Sequence, residues 1–594
     1  MEIRVLYFSA EWGLAGRNIP IYAGGLGILA GDALLEAHRM GWPWTGMGLM
    51  YREGFFEQKI DALGAQTERH HRLHPEDYGL KLVHSRPKHP LLISVPFPGR
   101  QIFLQIWQLK IDGTSLYLLD ADLPDNKPED RRLTARLYTG NWNLQLAQEV
   151  LLGVGGVEAA RVLNLEINLW HLNDDHAGFS LLWRLKGVHS SLDTDADVAA
   201  AVAEVRRNSV FTTHTPIKGA ESVSDRAALM PYLQALFGVN SCENIFKIGQ
   251  FADANTGAPL FSLTVSAMKL TRARNAVSQR HNEVAKKIWG FIWPEETGDN
   301  VPIRAVTNGV NPSSWISAPM DKLLKKYLAI DWRDNVDSYD LWQKALTIPD
   351  KDLWRAHLES KKALLGYLGK HYRHLFKVTP TVEPLFLGFA RRFATYKQPG
   401  VLLNDLTHLR KILLDPERPA YLFLSGKANP IDPVGKELVK KAVAIDKDPE
   451  LGEHIIFLPD YDMEIAKYLV SGVDLWINTP LPPWEACGTS GMKAIYNGVL
   501  NASTYDGWWY EAYDPMVGFV IGPDSVEAAA RLDETTTSDA LFYLLENDIV
   551  PLYYDRTAGL PTEWLNRIRN SLVKLAPRYN SCRMLKEYRD KIYG

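Results

Sequence analysis

Short apolar runs bounded by turn residues recur along the chain and predict buried β-strands. Segments between them carry helical spacing; in 434–445, for example, Val434, Leu438, Val439 and Ala442 form one predicted apolar stripe. Buried strands that alternate with amphipathic helices are typical of parallel sheets covered by helices, so the pattern predicts an α/β fold. The clearest apolar runs are RVLYFSA (4–10), VFTTHT (210–215), PLFLGFA (384–390), AYLFLSG (420–426), HIIFLPD (454–460) and VGFVIG (517–522).

The length of 594 residues and this pattern predict two α/β domains. A helical, charge-rich stretch follows residue 320, so we place the boundary near 311–315, with an N-terminal domain at 1–314 and a C-terminal domain at 315–594. We expect the last helix to pack back on the first domain. Ligands of such proteins bind in the crevice between the domains, at the C-terminal ends of the strands.

Composition and charge exclude several classes of function. Lys and Arg number 66 and Asp and Glu 70, a net charge of -4, which argues against a nucleic-acid binder or a polybasic membrane binder. Three scattered cysteines are too few for a disulfide framework or a thiolate zinc site, and we expect no metal. No signal-peptide pattern begins the sequence and no window reaches about 18 uncharged apolar residues, so we expect a cytoplasmic protein.

One loop combines a carboxylate, small residues and an amine. The segment EACGTSGMK, from Glu485 to Lys493, follows the strand-like run DLWINTP. Its small residues at 488–491 open a helix predicted at 492–496, and the free backbone N–H groups of a helix start suit a phosphate. By itself the pattern is also compatible with an ordinary helix start that carries a solvated lysine.

A second block concentrates positive charge. Arg391, Arg392 and Lys397 follow the predicted strand PLFLGFA directly. Three cations within seven residues at the end of a strand can neutralise and hold phosphate groups. A solvated basic patch is the alternative interpretation.

These two blocks resemble the pyridoxal-phosphate signature Glu-Ala-Ser-Gly-Thr-x-x-Met-Lys and the Lys-Arg-x-x-x-Tyr-Lys run of the glycogen/maltodextrin phosphorylases, the α-glucan phosphorylases. The chain departs from the family with Cys487 in the serine position, with Arg391 where lysine is commoner, and with Asp462 where many relatives have arginine. The resemblance implies the compact form of the family, with two Rossmann-like domains that face a central crevice in the GT-B glycosyltransferase architecture.

The resemblance also implies roles for individual residues. Lys493 would carry pyridoxal 5′-phosphate as a Schiff base, and Arg392 and Lys397 would hold the substrate phosphate. With Lys493, Arg392 and Lys397, the implied catalytic residues are His214 and Glu485. The other implied cofactor contacts are Arg391, Gly488, Thr489, Tyr461 and Trp315. The implied substrate contacts are Gly25, Asn141, Asp174, His176, His214, Asn308, Tyr396 and Glu485.

The implied activity is phosphorolysis of the terminal glucosyl unit of glycogen, starch or maltodextrin by inorganic phosphate. The product would be α-D-glucose 1-phosphate with retained configuration, and the resemblance further implies a homodimer. Two alternatives stay open. A nucleotide-sugar-dependent glucan synthase would share the architecture but tends to have a glutamate where Lys493 stands, and an inactive glucan-binding homologue would keep the fold without turnover.

Overall fold

The computed structural model describes residues 2–111, 113–216, 222–253, 256–375 and 380–594, which form a mixed α/β protein. The strands are β1 Val5–Ser9, β2 Trp44–Leu49, β3 Glu57–Ile60, β4 Gln66–Arg69, β5 Lys81–Leu82, β6 His84–Arg86, β7 His89–Pro90, β8 Leu92–Phe97, β9 Arg100–Ile111, β10 Thr114–Asp120, β11 Leu169–Asn173, β12 Ser209–Thr212, β13 Val223–Asp225, β14 Gln250–Ala252, β15 Pro259–Ser262, β16 Ala273–Ala276, β17 Arg304–Ala305, β18 Leu385–Ala390, β19 Ala420–Ser425, β20 Ile455–Leu458, β21 Leu475–Asn478, β22 Leu500–Thr504 and β23 Gly518–Ile521.

The α-helices lie between these strands and after the last of them. They are α1 Gly25–Arg39, α2 Trp142–Val162, α3 Gly178–Val188, α4 Asp195–Arg206, α5 Arg226–Phe237, α6 Cys242–Gly249, α7 Leu263–Leu270, α8 Gln279–Trp289, α9 Pro312–Trp315, α10 Ala318–Tyr327, α11 Tyr339–Gln343, α12 Asp350–His371, α13 Leu406–Leu413, α14 Pro433–Asp446, α15 Met463–Gly472, α16 Ser490–Ile495, α17 Trp509–Ala512, α18 Val526–Ala529, α19 Glu534–Leu544, α20 Val550–Tyr554, α21 Thr562–Leu575 and α22 Ser581–Glu587.

Two large sheets organise the described residues. The first has the order β17-β16-β12-β11-β1-β2-β10-β9-β5, with β8 also paired to β9. From β17 to β10 its strands are parallel, and β9 runs antiparallel to β10. The second sheet has the order β20-β19-β18-β21-β22-β23 and is parallel throughout. Parallel strands need crossover connections, and the strands of the parallel parts of both sheets are almost entirely buried, whereas β8 and β9 at the antiparallel edge include exposed residues.

The apolar runs recognised in the sequence all contain strands, namely β1, β12, β18, β19, β20 and β23. The apolar stripe predicted for α14 is wrong at its first member. Val439 and Ala442 are fully buried, but Val434 is 54% exposed. Val434 lies in the first turn of α14, before the turns that carry the buried residues, so helical spacing alone overestimates the buried face.

The C-terminal segment returns to the first sheet. Met584, Tyr588 and Tyr593 belong to the hydrophobic core around that sheet, although the part of the chain that precedes them builds the second one. The Tyr593 hydroxyl lies 2.8 Å from Nδ1 of His171 on β11. The hydroxyl of Ser581 donates to a carboxylate oxygen of Glu36 on α1 at 3.1 Å.

A hairpin of the N-terminal half also contacts the second sheet. The backbone N–H of Gln58 on β3 donates to Asp460 at 2.8 Å, and the Asp460 N–H donates to the Gln58 side chain at 2.7 Å. The side-chain amide of Gln66 on β4 donates to the carbonyl of Ala428 and accepts from the N–H of Ala428, at 2.9 Å in both directions. The N-terminal and C-terminal parts of the chain are therefore joined both by the C-terminal segment and by this hairpin.

No helix in the described ranges is both long and apolar enough to cross a membrane. The same ranges contain no group of three or more His, Cys, Asp or Glu side chains placed to share a metal ion.

Candidate active site

The loop before Lys493 connects β21 to α16, the helix that carries this lysine. Gly488 has φ of +86°, a left-handed conformation that favours glycine, and it turns the chain toward the helix. The helix occupies Ser490–Ile495, so it begins among the small residues 488–491 as predicted and ends one residue before the predicted 496. Thr489 is its N-terminal flanking residue, and Lys493 lies on the buried side of its last turn.

Lys493 lies in a hydrophobic environment with one nearby carboxylate. The side chain is buried, and its Nζ lies 3.9 Å from the centroid of the Trp315 ring. Burial lowers the pKa of Lys493 to about 8, although the charge of Asp32 opposes the shift. A substantial fraction of the amine is therefore uncharged slightly above neutral pH, as a nucleophilic lysine requires.

The basic block forms one cluster with Glu485. Nη2 of Arg391 donates to Oε2 of Glu485 at 2.6 Å, and Nζ of Lys397 donates to the same oxygen. Burial would raise the pKa of Glu485, but the charges of Lys397 and Arg391 outweigh it and lower the pKa to about 2. Nε and Nη1 of Arg391 are buried and have no hydrogen-bond partner among the described residues. The cluster thus has unused donor capacity directed at buried space.

Arg392 differs from the other two cations because it is exposed, whereas Arg391 and Lys397 are buried. Its Nη2 donates to the Tyr396 hydroxyl at 3.1 Å, and its Nε lies 3.7 Å from the position that a Cβ on Gly24 would occupy. Against the effect of burial, Lys397 and Arg392 lower the pKa of Tyr396. Arg392 therefore connects the end of β18 with the glycine-rich loop of the N-terminal half.

Two positions near the cluster bear on the departures from the family pattern. Asp462 accepts a hydrogen bond from the Ile465 N–H at 2.9 Å and so caps the N-terminus of α15. Burial and the charge of Asp462 raise the pKa of Tyr461. The positive charge of Arg391 opposes this rise, so Arg391 is near the Tyr461 hydroxyl. Cys487 is 4% exposed, and burial raises its pKa well above the ordinary value, so its thiol is a neutral packing group.

The glycine-rich loop before α1 is held by a carboxylate. Oε2 of Glu11 accepts hydrogen bonds from the N–H groups of Ala23, at 2.7 Å, and Gly24, at 3.0 Å. Oε1 of Glu11 accepts from the Tyr138 hydroxyl at 2.8 Å. Gly25, the first residue of α1, is exposed next to these occupied amides. An incoming anion would therefore find Gly25, and not the two preceding residues, available at this loop.

The predicted substrate group on the first sheet lies at the ends of β11 and β12. His214 is hydrogen-bonded through Nε2 to Oδ1 of Asn173 at 2.6 Å. Burial, with a contribution from His281, lowers the pKa of His214 to about 3, so its imidazole is neutral. Burial and the charge of Asp175 raise the pKa of Asp174 to about 7. Asp174 has φ of +67°, a strained conformation for a non-glycine residue that is common at functional sites.

His176 lines a small cavity beside this group, together with Tyr138, Glu149 and Asn141. Against the effect of burial, the charges of Asp175 and Asp174 raise the pKa of His176. Asn141 is exposed, and its side chain accepts from the Leu144 N–H at 3.2 Å, which caps α2. Asn141 thus lies at the rim of the cavity. Its role as the N-terminal cap of α2 was not predicted from the sequence, which indicated only a substrate contact.

Asn308 lies near the junction of the halves. Its side-chain Oδ1 is buried without a hydrogen-bond partner in the described part of the chain, so it can accept from a ligand. The Ser278 hydroxyl donates to the carbonyl of Ala486 at 2.6 Å, which ties the lysine loop to the N-terminal half. Trp508 and Trp509 are buried, so these aromatics belong to the core.

Sequence reasoning missed Asp32, Glu11 and Asn173, which the structure places against predicted site residues. All three are buried polar side chains, and burial of a single polar residue depends on the fold, so the sequence offers no clear signal for them.

Replacement of Glu485 by glutamine should lower the free energy of unfolding by about 3 kcal/mol at pH 7. The drop of its pKa from 4.5 to about 2 corresponds to that stabilisation, and the variant leaves two cations without a buried counter-charge. Since the native pKa is depressed, the stabilisation is present above pH 4.5 and is lost as the pH falls toward 2. Urea unfolding as a function of pH measures it.

Replacement of the exposed Glu437 by glutamine is the matched control and should change stability little. Equal stability of the Glu485 and Glu437 variants at pH 7 would show that the cluster contributes nothing to folding.

Comparison with known proteins identifies a family model and relatives that match the chain. A family model described as carbohydrate phosphorylase matches residues 266–519. The maltodextrin phosphorylase of Thermococcus litoralis is 36% identical over 601 residues, which cover 100% of this chain and 71% of the relative. The glycogen phosphorylase of Aquifex aeolicus is 35% identical over 609 residues, with coverages of 99% and 86%.

An uncharacterized protein of Methanocaldococcus jannaschii is 28% identical over 598 residues, which cover 99% of this chain and 99% of the relative. Identity of 35–36% along the whole chain, together with the family model, confirms the resemblance that the lysine loop and the basic block indicated. The chain is a member of the carbohydrate phosphorylase family.

Proposed function

We propose that the protein is an α-glucan phosphorylase. It would transfer the terminal glucosyl unit of glycogen, starch or maltodextrin to inorganic phosphate and release α-D-glucose 1-phosphate with retained configuration. The observation that carries the proposal is the buried Lys493 amine, with its lowered pKa, on the helix that follows the loop of Glu485, whose carboxylate pairs with Arg391 and Lys397. Relatives that match the chain along its whole length are named maltodextrin and glycogen phosphorylase.

The proposed architecture is a pair of Rossmann-like domains, 1–314 and 315–594, that face a crevice. The two large sheets, the first mixed and the second parallel, each have their own hydrophobic core and support this division. The segment around Asn580 and Ser581 crosses back to the first domain, where it would limit how far the crevice opens. A homodimer is part of the proposal, and sedimentation velocity would test it.

The residues present fit pyridoxal 5′-phosphate. Lys493 supplies a buried amine, and Arg391 has two buried N–H groups without partners among the described residues, as an arginine that awaits a phosphate would. Trp315 would line the pocket, and Tyr461, Gly488 and Thr489 complete the set that would hold the cofactor. When bound, the cofactor would supply a phosphate whose second pKa near 6 suits proton exchange at neutral pH.

The chain's own side chains would bind and orient the substrates. Arg392 and Lys397 would hold the substrate phosphate with charge-assisted hydrogen bonds, which requires Lys397 to share or release Glu485. Glu485, ionised because its pKa is about 2, would accept hydrogen bonds from sugar hydroxyls. Closing the crevice would exclude water and strengthen these contacts.

On the opposite side, neutral His214 would contact the glucosyl unit together with Asn308, whose Oδ1 has no partner in the described ranges. Asp174 and His176 would organise the acceptor side, next to the cavity that His176 lines. Phosphate that attacks from the face where the leaving oxygen departs gives retention, so no carboxylate nucleophile is required, in contrast to a retaining glycosidase.

Incubation of the purified protein with maltoheptaose and inorganic phosphate should yield glucose 1-phosphate and maltohexaose. Omission of phosphate should stop the reaction, because phosphate is the acceptor. A parallel incubation with a nucleotide sugar and maltoheptaose serves as the comparison. Glucan extension there, with no glucose 1-phosphate in the first incubation, would replace the proposal with a synthase; no turnover in either would favour a glucan-binding homologue.

A further inference from the structure

Helix α1 carries a buried carboxylate that none of the roles above uses. Asp32 is 1% exposed, in the second turn of the helix that follows the glycine-rich loop. Its Oδ2 accepts from Nε1 of Trp315 at 2.8 Å and from the backbone N–H of Asn311 at 3.0 Å. Its Oδ1 is buried and has no hydrogen-bond partner among the described residues. A buried carboxylate with a spare oxygen is costly unless it faces a compensating group.

The compensating group is Lys493, and Trp315 lies against both. The N–H edge of the Trp315 indole contacts Asp32, while the face of the same ring holds Nζ of Lys493 at 3.9 Å from its centroid. Nδ2 of Asn497 donates to the carbonyl of Trp315 at 3.0 Å and to that of Lys493 at 3.2 Å. Carboxylate, indole and amine are therefore held in one rigid arrangement contributed by α1, α9 and α16.

We propose that Asp32 is a positioning residue for the lysine that anchors the cofactor: it orients Trp315 under the Lys493 amine, and its charge sets the protonation of that amine. The inference rests on the cofactor site proposed above. A lysine forms a carbon–nitrogen bond with an aldehyde only as the neutral amine, because the nitrogen lone pair attacks the carbonyl carbon and the carbonyl oxygen leaves as water. The carboxylate would thus control the pH at which Lys493 can react.

The direction of the electrostatic coupling supports this role. Burial lowers the pKa of Lys493, and the charge of Asp32 limits the fall, so that the pKa is about 8. Conversely, burial raises the pKa of Asp32, and Lys493 together with the hydrogen bonds from Trp315 and Asn311 limits the rise to about 6. Between pH 6 and 8 both groups are charged and attract each other. Loss of the carboxylate should therefore lower the pKa of Lys493 further.

The test compares the full-length chain, freed of cofactor, with its Asp32→Asn and Glu36→Gln variants. The asparagine amide keeps an oxygen that can accept from Trp315, so the first substitution removes only the charge. Glu36 is the matched control, since it is equally buried on the same helix but is bonded to Arg39 and Ser581. The proteins are treated with trace acetic anhydride at a series of pH values, and acetylation of the Lys493 peptide is quantified by mass spectrometry. The midpoint is the pH at which acetylation of Lys493 is half-maximal.

We expect the midpoint in Asp32→Asn to lie about one pH unit below that of the chain without substitutions. The midpoint in Glu36→Gln should be unchanged. Asp32→Ser is a second neutral variant in case the first does not fold, as judged by near-ultraviolet circular dichroism. Identical midpoints in the chain without substitutions and in the Asp32 variants would overturn the inference. A shift in Glu36→Gln as large as that in Asp32→Asn would also overturn it.

The same proteins assayed with maltoheptaose and phosphate separate this inference from the proposed function. A shifted midpoint with no glucose 1-phosphate from the unmodified chain would support the role of Asp32 in setting the amine's protonation and overturn the phosphorylase proposal. Turnover by the unmodified chain with an unshifted midpoint would overturn the inference about Asp32 alone.

Discussion

Replacement of Lys493 by alanine should abolish glucose 1-phosphate formation, with a loss of more than about 10³-fold, while the chain stays folded. The reason is that the variant removes the amine that would anchor the cofactor. The chain should still fold with some loss of stability, because Asp32 loses the charge that compensates it and becomes protonated more readily. Phosphorolysis of maltoheptaose and the amount of pyridoxal phosphate retained after gel filtration measure the two effects.

The exposed Lys440 on α14, replaced by alanine, is the control for loss of a lysine as such. It should keep full activity and full cofactor. Activity of Lys493→Ala close to that of the unmodified enzyme, with cofactor still bound, would contradict the assignment of Lys493. Loss of activity with cofactor retained would instead show that the amine acts only in turnover and would contradict the anchoring role.

Replacement of Arg392 by alanine should lower kcat/KM for phosphate by about 10²- to 10³-fold and leave stability nearly unchanged. Arg391 and Lys397 already share Glu485, whereas Arg392 is exposed and donates to the Tyr396 hydroxyl at 3.1 Å. It is therefore the cation of this cluster that a second phosphate would meet without first breaking a buried ion pair.

Initial rates at varied phosphate concentration, with maltoheptaose saturating, measure the effect. Arg392→Lys should recover only part of the loss, since an ammonium keeps the charge but not the paired donors of a guanidinium. Arg418→Ala, which removes an exposed arginine paired with Asp415, is the control and should behave as the unmodified protein. A kcat/KM for phosphate unchanged in Arg392→Ala would remove Arg392 from the phosphate site.

Much of the fold could be predicted from local pattern. The apolar run 384–390 contains β18 and the run 420–426 contains β19, because a strand buried on both faces needs a continuous apolar segment. The face of α14 was predicted less well. Its first turn exposes Val434, since the buried stripe of a helix depends on where its neighbours end, which helical spacing does not record.

The candidate site shows the same division. The lysine loop and the basic block are contiguous motifs, and each was recognisable from its own residues. Glu11, which holds the amides of Ala23 and Gly24, offered no comparable signal, because a single buried acid has no pattern of its own. Asn173, the hydrogen-bond partner of His214, lies 41 residues away from it in the chain and was missed for the same reason.

The sequence by itself determined which segments become strands and which loops carry cations, glycines and the lysine, because periodicity and motif spacing are properties of neighbouring residues. Only the tertiary structure decided that Glu485 bonds to Arg391 and Lys397, and that Trp315 lies between Asp32 and Lys493. It also decided the protonation of these groups, since a pKa shift depends on burial and on charges brought together from distant parts of the chain.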